Sequence, residues 1–178
     1  MVVPWPDHSA VSRQSEFSTR NLLSLDDWPS PMTETLSTAQ LEHIDDVIIA
    51  GPFGNHVGMH TDMIEVDRVV VRMPGAGHVM NSLGIIHGGA TATLLDAAAT
   101  AAAWATPAAK PTTRGTTVAL TINYIAAGQE GDLIAEGCVI SRGGTLTIVD
   151  VVARDGTGRI VAKAQATYKL DLARDRRG

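Results

Sequence analysis

Hydrophobic positions first fall into a helical rhythm at Leu41, Ile44 and Ile48, spaced i, i+3 and i+7 along one side of a helix. Ser37-Thr38-Ala39-Gln40 marks its start as a capping box, and Gly51-Pro52 marks its end. The period then shortens: Ile64, Val66, Val69 and Val71 predict a strand from Met63 to Met73 with a slip near Asp67-Arg68, closed by Pro74-Gly75-Ala76-Gly77. From Asn81 to Ala105 the chain opens on glycines and continues as Ala, Thr and Leu, a composition of strong helix propensity. With so many alanines, whatever wraps this helix must come close. Pro107 and Pro111 end it.

The remainder reads as four strands, Thr116 to Ile125, Asp132 to Ser141, Leu146 to Ala153 and Arg159 to Leu170. The intervening Gly128-Gln129-Glu130-Gly131, Arg142-Gly143-Gly144 and Asp155-Gly156-Thr157-Gly158 are hairpin-sized, so consecutive strands are expected to pair antiparallel. One long small-residue helix and about five antiparallel strands predict an α+β layer pair, the helix lying across a curved sheet. Residues 1–36 mix Pro, Ser and charge around Trp5, Phe17 and Trp28 without periodicity, and are expected to form an extended arm. A single domain over residues 37–172 and a solvated tail over 173–178 complete the organisation.

Composition narrows the partners. The chain of 178 residues is 44% hydrophobic, enough for one sizeable core, and carries a net charge of −5. Basic residues cluster only at Arg174-Asp175-Arg176-Arg177, so nucleic acid is not expected as a partner. The single cysteine, Cys138, excludes an intramolecular disulfide framework and reads as core. The N-terminus lacks a signal peptide's basic start and apolar stretch, and the apolar run Leu94 to Trp104 is too short to span a membrane. A soluble, cytoplasmic protein is expected.

Asn81-Ser82-Leu83-Gly84-Ile85-Ile86-His87-Gly88-Gly89, followed after six residues by Asp96, resembles the active-site signature N-x-x-G-x-x-H-G-G-x(6)-D of hotdog-fold acyl-CoA thioesterases, especially the phenylacetate-pathway group. The likeness runs from about Ile48 to Leu170. It implies the hotdog fold, hydrolysis of an acyl-CoA substrate without any cofactor, and a site built across a dimer interface, in a dimer or tetramer. It further implies that Asp96 is the catalytic carboxylate, that the Gly88 N–H polarises the thioester carbonyl, and that His87 braces the turn through its imidazole. Asn81 falls on the residue that helps position water or carboxylate. Thr117 falls where a human member has a supporting serine. In relatives a glycine and a basic residue in the hairpin before the penultimate strand meet the nucleotide phosphates, and Arg142 and Gly143 stand there.

The residues carry the same chemistry on physical grounds. A His87-Gly88-Gly89 turn opening a helix exposes backbone N–H groups at the positive end of the helix dipole, and the missing Cβ atoms let an acyl oxygen approach: an oxyanion hole, with Gly89 shaping the substrate's path. Asp96 lies two helical turns beyond Gly89, about 10 Å along the axis at ~1.5 Å per residue. It cannot reach a carbonyl held at its own helix's N-terminus, whereas an antiparallel second copy would bring it there. It could act as general base or as nucleophile.

Other patterns fail. His56 and His60 are spaced i, i+4, but no Glu accompanies them and Gly58 interrupts the helix, so no metal site is expected. Met80 stands where a nucleophile elbow needs glycine, and Gly75-Ala76-Gly77 does not continue as a dinucleotide fingerprint. Because the fold also hosts hydratases, dehydratases and ligand sensors, a hydratase/dehydratase and a non-catalytic acyl-CoA-binding module remain the alternatives.

Overall fold

The structure, a computed structural model, describes residues 35–172 except Pro111 and Glu130. The predicted N-terminal arm, but for Thr35 and Leu36, and the predicted tail lie outside the described residues. So do Pro111, predicted to help end the long helix, and Glu130, predicted to sit in a hairpin turn.

Helix α1 (Thr38–Glu42) begins at Ser37, whose side chain accepts from Gln40 N while the Gln40 side chain returns to the Ser37 backbone. The helix continues as a π-helical stretch, His43–Ile49, rather than as the uniform α-helix expected. That widening moves the buried stripe. With i→i+5 bonding, Ile44 and Ile49 share the inner side, and Ile48 is only half-buried. Helix α2 (Pro52–Val57) was not predicted: Pro52, read as a stop, occupies the first helical turn, where its missing N–H costs nothing, and Gly58 closes the helix at φ 75°.

The predicted strand over Met63 to Met73 is a hairpin, β1 (His60–Glu65) and β2 (Arg68–Met73), turning at Asp67 with φ 63°. An Asp tolerates this left-handed conformation better than most side chains. Strands β3 (Gly115–Tyr124), β4 (Leu133–Arg142), β5 (Leu146–Asp155) and β6 (Ile160–Leu170) match the four predicted segments. Together they make one six-stranded antiparallel sheet in the order β1-β2-β4-β5-β6-β3, one strand more than expected.

One expected pairing is absent. Strands β3 and β4 do not form a hairpin; β3 pairs with β6 at one edge and β4 lies between β2 and β5. The connection over residues 125–132 can reach that far, because three strand spacings amount to about 14 Å and extended chain covers ~3.3 Å per residue. It runs against the glycine-rich loop, where Ile86 N donates to Gly128 O at 2.9 Å. A Cβ on Gly128 would stand 3.3 Å from Ile86, so the glycine permits that approach.

Helix α3 (Gly88–Trp104) crosses the sheet and buries Leu94, Leu95, Ala98, Ala99, Ala101, Ala102 and Ala103 completely. The close wrapping expected from its alanines is concrete at Gly137 in β4, where an added Cβ would meet the Ala98 carbonyl oxygen at 2.6 Å. Thr93, Asp96, Ala97 and Thr100, on the side away from the sheet centre, stay only half-buried.

Candidate active site

The turn that opens α3 is built by the chain just before it. Asn81 Oδ1 accepts from Leu83 N at 2.9 Å, Asn81 N donates to Ile85 O at 2.8 Å, and Gly84 takes φ 71° to close the loop. His87 N then donates to Val79 O at 2.9 Å, anchoring the helix start to the preceding turn. As N-cap, His87 accepts the Gly89 N–H on Nδ1 at 2.8 Å, which leaves Nε2 as the ring's N–H position.

That cap sorts the two glycines. The Gly89 amide is consumed by His87, while Gly88 is the first helical residue, whose N–H has no acceptor within the helix. Gly88 and Gly89 are both exposed. Tyr124, which the sequence reading missed, donates its hydroxyl to Gly88 O at 3.1 Å and sets its ring 3.6 Å from where a Gly88 Cβ would be. Only its position at the end of a strand could have drawn notice. Asn81, Gly88, Thr91 and Tyr124 line one groove of about 360 Å³.

Asp96 lies elsewhere. Its Oδ1 accepts from Thr117 Oγ1 at 2.8 Å, so the structure brings two of the residues singled out in the sequence together within one chain. Asp96 opens onto a second groove of about 370 Å³, walled by Val47, Ile48, Phe53 and Met59 against Thr93 and Ala97. Phe53 and Val47 are 61% and 59% exposed; the sequence reading did not foresee this apolar wall, because Phe53 lies on the unpredicted α2 and Val47 on a predicted helix that turned out π-helical. The eight residue-to-residue rises from Gly88 to Asp96 correspond to ~12 Å of helix. The acidic group and the donor turn thus occupy separate grooves.

Arg142 and Gly143 are not brought to either groove. Arg142 folds against the C-terminal end of α3: Nε donates to Asp67 Oδ1 at 3.1 Å and Nη1 to Ala103 O at 2.9 Å. Its Nη2 reaches Asp67 Oδ1 at 2.5 Å, and Nη1 also meets Thr147 Oγ1. A phosphate would have to compete with Asp67 for this guanidinium. Cys138 is half-buried on the outer side of β4 rather than in the core, and burial, with Glu136 nearby, pushes its thiol up to about 11, away from thiolate chemistry. Among the described residues, no group of three or more His, Cys, Asp or Glu is arranged to hold a metal ion, and no helix is long and apolar enough to cross a membrane.

Comparison with known proteins bears on this arrangement. The family model of the thioesterase superfamily matches residues 83–162, which include the glycine turn, Asp96 and Thr117. Human acyl-coenzyme A thioesterase 13 is 30% identical over 105 residues, covering 58% of this chain and 73% of that protein. A Saccharolobus solfataricus relative named as an esterase is 36% identical over 85 residues, and the match spans 48% of this chain and 55%, about half, of the relative. Among solved structures, a thioesterase family protein from Silicibacter pomeroyi has a TM-score of 0.68 at 23% identity, covering 74% of this chain and 97% of its own, a likeness of fold. A Streptococcus mutans protein with acetyl-CoA bound has a TM-score of 0.57 at 26% identity, covering 63% of this chain and 87% of its own.

Proposed function

The chain belongs to the thioesterase superfamily, and from that premise we propose that it hydrolyses an acyl-CoA thioester to a free carboxylic acid and coenzyme A. The observation that carries the reading is the division of the chemistry: a carboxylate steadied by Thr117 in one groove, and in another a Gly88 N–H that has no acceptor within its own helix.

A homodimer, alone or paired into a tetramer, would complete the site. In an antiparallel pair of α3 helices, Asp96 of one copy would face the His87-Gly88-Gly89 turn of the other. The edge of the sheet supports self-association there: among the described residues β3 has no strand beyond it, and Val118 and Tyr124 are each 57% exposed along it.

In the proposed reaction the Gly88 N–H donates to the thioester carbonyl oxygen, with Gly89 leaving room for the acyl group and Asn81 steadying the loop beneath. Asp96 takes a proton from water as the water oxygen bonds to the carbonyl carbon. Collapse of the tetrahedral intermediate breaks the C–S bond; the coenzyme A sulfur leaves with the electron pair and takes the proton that Asp96 received from water, which returns Asp96 to its carboxylate. Direct attack by Asp96 through a mixed anhydride is the variant of the same scheme. Water and protein groups supply every step, so no metal or redox cofactor enters the proposed reaction. The phenylacetate-pathway group supplies the first acyl class to test, aryl-acetyl, and the apolar Phe53 and Val47 wall suits such a group. The coenzyme A phosphates are assigned to the Arg142-Gly143 hairpin only on the family pattern. A reducing, cytoplasmic setting accords with the single unpaired cysteine.

The test is thiol release from aryl-acetyl, benzoyl, medium-chain and long-chain CoA thioesters by wild type and Asp96→Asn. Turnover of one class that falls ~10²-fold or more in the variant supports a carboxylate acting in proton transfer. Saturable acyl-CoA binding without turnover would replace the enzyme by a binding module, and hydration of an enoyl-CoA without thiol release would replace it by a hydratase.

A further inference from the structure

Strand β3 meets α3 through two hydroxyls. Near its start Thr117 donates to Asp96, and at its end Tyr124 donates to Gly88 O at 3.1 Å. Gly88 O belongs to the peptide whose N–H is that of Gly89, and this N–H donates to His87 Nδ1 at 2.8 Å. One peptide is therefore held at its oxygen by the strand and at its nitrogen by the N-cap. The preceding peptide, which carries the Gly88 N–H, is held at its own oxygen: His87 O accepts from Ala90 N at 2.9 Å and from Thr91 N at 3.1 Å. The two peptides hinge at Gly88 Cα, where the missing Cβ leaves φ and ψ permissive.

Of the ties on these two peptides, only the one from Tyr124 comes from outside the start of the helix. The others join neighbours within one turn, and a first turn held only by itself frays. The Tyr124 ring adds a contact of its own, 3.6 Å from where a Gly88 Cβ would be. Tyr124 is 57% exposed and lines the same groove as Gly88. In the free protein water competes for its hydroxyl, so the bond adds little to stability. An acyl group seated in the groove excludes that water, and the bond strengthens in the drier surroundings.

We infer that Tyr124 is a positioning residue for the oxyanion donor: its hydroxyl holds the Gly88–Gly89 peptide so that the Gly88 N–H keeps its aim while negative charge builds on the thioester oxygen. The inference rests on the proposed role of the Gly88 N–H. Strand β3 then orders both halves of the chemistry, the carboxylate through Thr117 and the donor turn through Tyr124.

The experiment compares Tyr124→Phe, His87→Ala and their double variant with wild type in steady-state thioester hydrolysis, beside thermal melts. Tyr124→Phe keeps the ring and removes only the hydroxyl. It loses about fivefold in kcat, the scale of one neutral hydrogen bond, with KM within about twofold and Tm within about 2 °C of wild type. Because Tyr124 and His87 hold the same peptide, the double variant stays within about twofold of His87→Ala. Wild-type kcat in Tyr124→Phe, a defect carried by KM or Tm instead of kcat, or losses that multiply fully in the double variant overturns the inference. A second readout needs no turnover. A hydrogen bond on Gly88 O polarises the peptide that carries the Gly89 nitrogen, so the Gly89 amide nitrogen resonance shifts in Tyr124→Phe, whose ring leaves the local ring current in place. An unmoved Gly89 resonance beside normal wild-type turnover overturns the tie alone, whereas absence of thioester turnover in wild type overturns the functional reading and the positioning role with it.

Discussion

Thr117 Oγ1 lies 2.8 Å from Asp96 Oδ1, tying the edge strand β3 to the middle of the helix it wraps. The pairing of β3 with β6 shifts register between Thr117 and Ala119, so the strand is bulged next to the residue that meets the carboxylate.

Because a hydrogen bond to a charged group is worth about 1.5–3 kcal/mol, Thr117→Val is expected to lower kcat by at least tenfold with the fold retained. Thr117→Ser keeps the hydroxyl and is expected to stay within about threefold of wild type. Steady-state rates beside thermal melts check both. A wild-type rate in Thr117→Val would remove Thr117 from the machinery.

Much of this arrangement was legible in residue patterns, and what was not has physical causes. The capping box at Ser37, the long alanine helix and the last four strands all follow from local preference and period. The split of one predicted strand into β1 and β2 turned on Asp67 adopting a positive φ, which composition alone does not announce. The pairing of β3 with β6 is a long-range choice that short glycine turns do not encode. At the site, Asp96 and Thr117 were each named from the family pattern, but their hydrogen bond to one another was not read from the sequence, because β3 reaches α3 only through the fold. Arg142 could not be placed from its exposed-looking Arg-Gly-Gly context, because its partners Asp67 and Ala103 are distant in sequence. Tyr124 meets Gly88 only through the fold.

Gly137 sets how closely α3 sits on the sheet. An alanine there would place a Cβ 2.6 Å from the Ala98 carbonyl and 3.3 Å from the Ala102 methyl. Backbone cannot move aside as a side-chain end can, so Gly137→Ala is expected to destabilise the protein by about 1–3 kcal/mol, the cost of overpacking a filled core. Chemical denaturation measures it. An unchanged midpoint would mean that helix and sheet are less tightly seated.

Arg142 joins the β1–β2 turn to the end of α3 through Asp67, Ala102 and Ala103, with its side chain only 18% exposed. Truncating it takes the guanidinium donor from Asp67 and from the Ala103 carbonyl, while the Ala102 carbonyl keeps the Ala105 N–H. Asp67 is itself 36% exposed, so solvent recovers part of the loss. Arg142→Ala is therefore expected to lower Tm, corresponding to about 1–2 kcal/mol. The same variant tests the phosphate assignment, because a residue that also holds coenzyme A would raise KM for acyl-CoA at temperatures where the variant is folded.

Asp155 gives the chain a defined response to acid. The carboxylate is 5% exposed at the β5–β6 turn and accepts from Thr157 N at 3.1 Å, Thr157 Oγ1 at 2.6 Å, Arg159 N at 3.1 Å and Arg159 Nε at 3.0 Å. Burial alone would push this carboxyl up, but the bonds from Thr157 and Arg159 together outweigh it and hold the group below its ordinary value. A folded value below the unfolded one means that the ionised form favours folding. Its contribution is complete above the unfolded value of about 3.9 and is lost as pH falls through the folded value beneath it. At neutral pH, Asp155→Asn is expected to be less stable than wild type by about 2 kcal/mol, since an amide replaces a charged acceptor of several donors. The difference should hold constant down to about pH 5 and shrink below about pH 4 as the wild-type carboxylate takes its proton. Denaturation midpoints for both proteins from pH 7 to pH 2 measure it, and a gap independent of pH would show that the aspartate's charge is not what stabilises the turn.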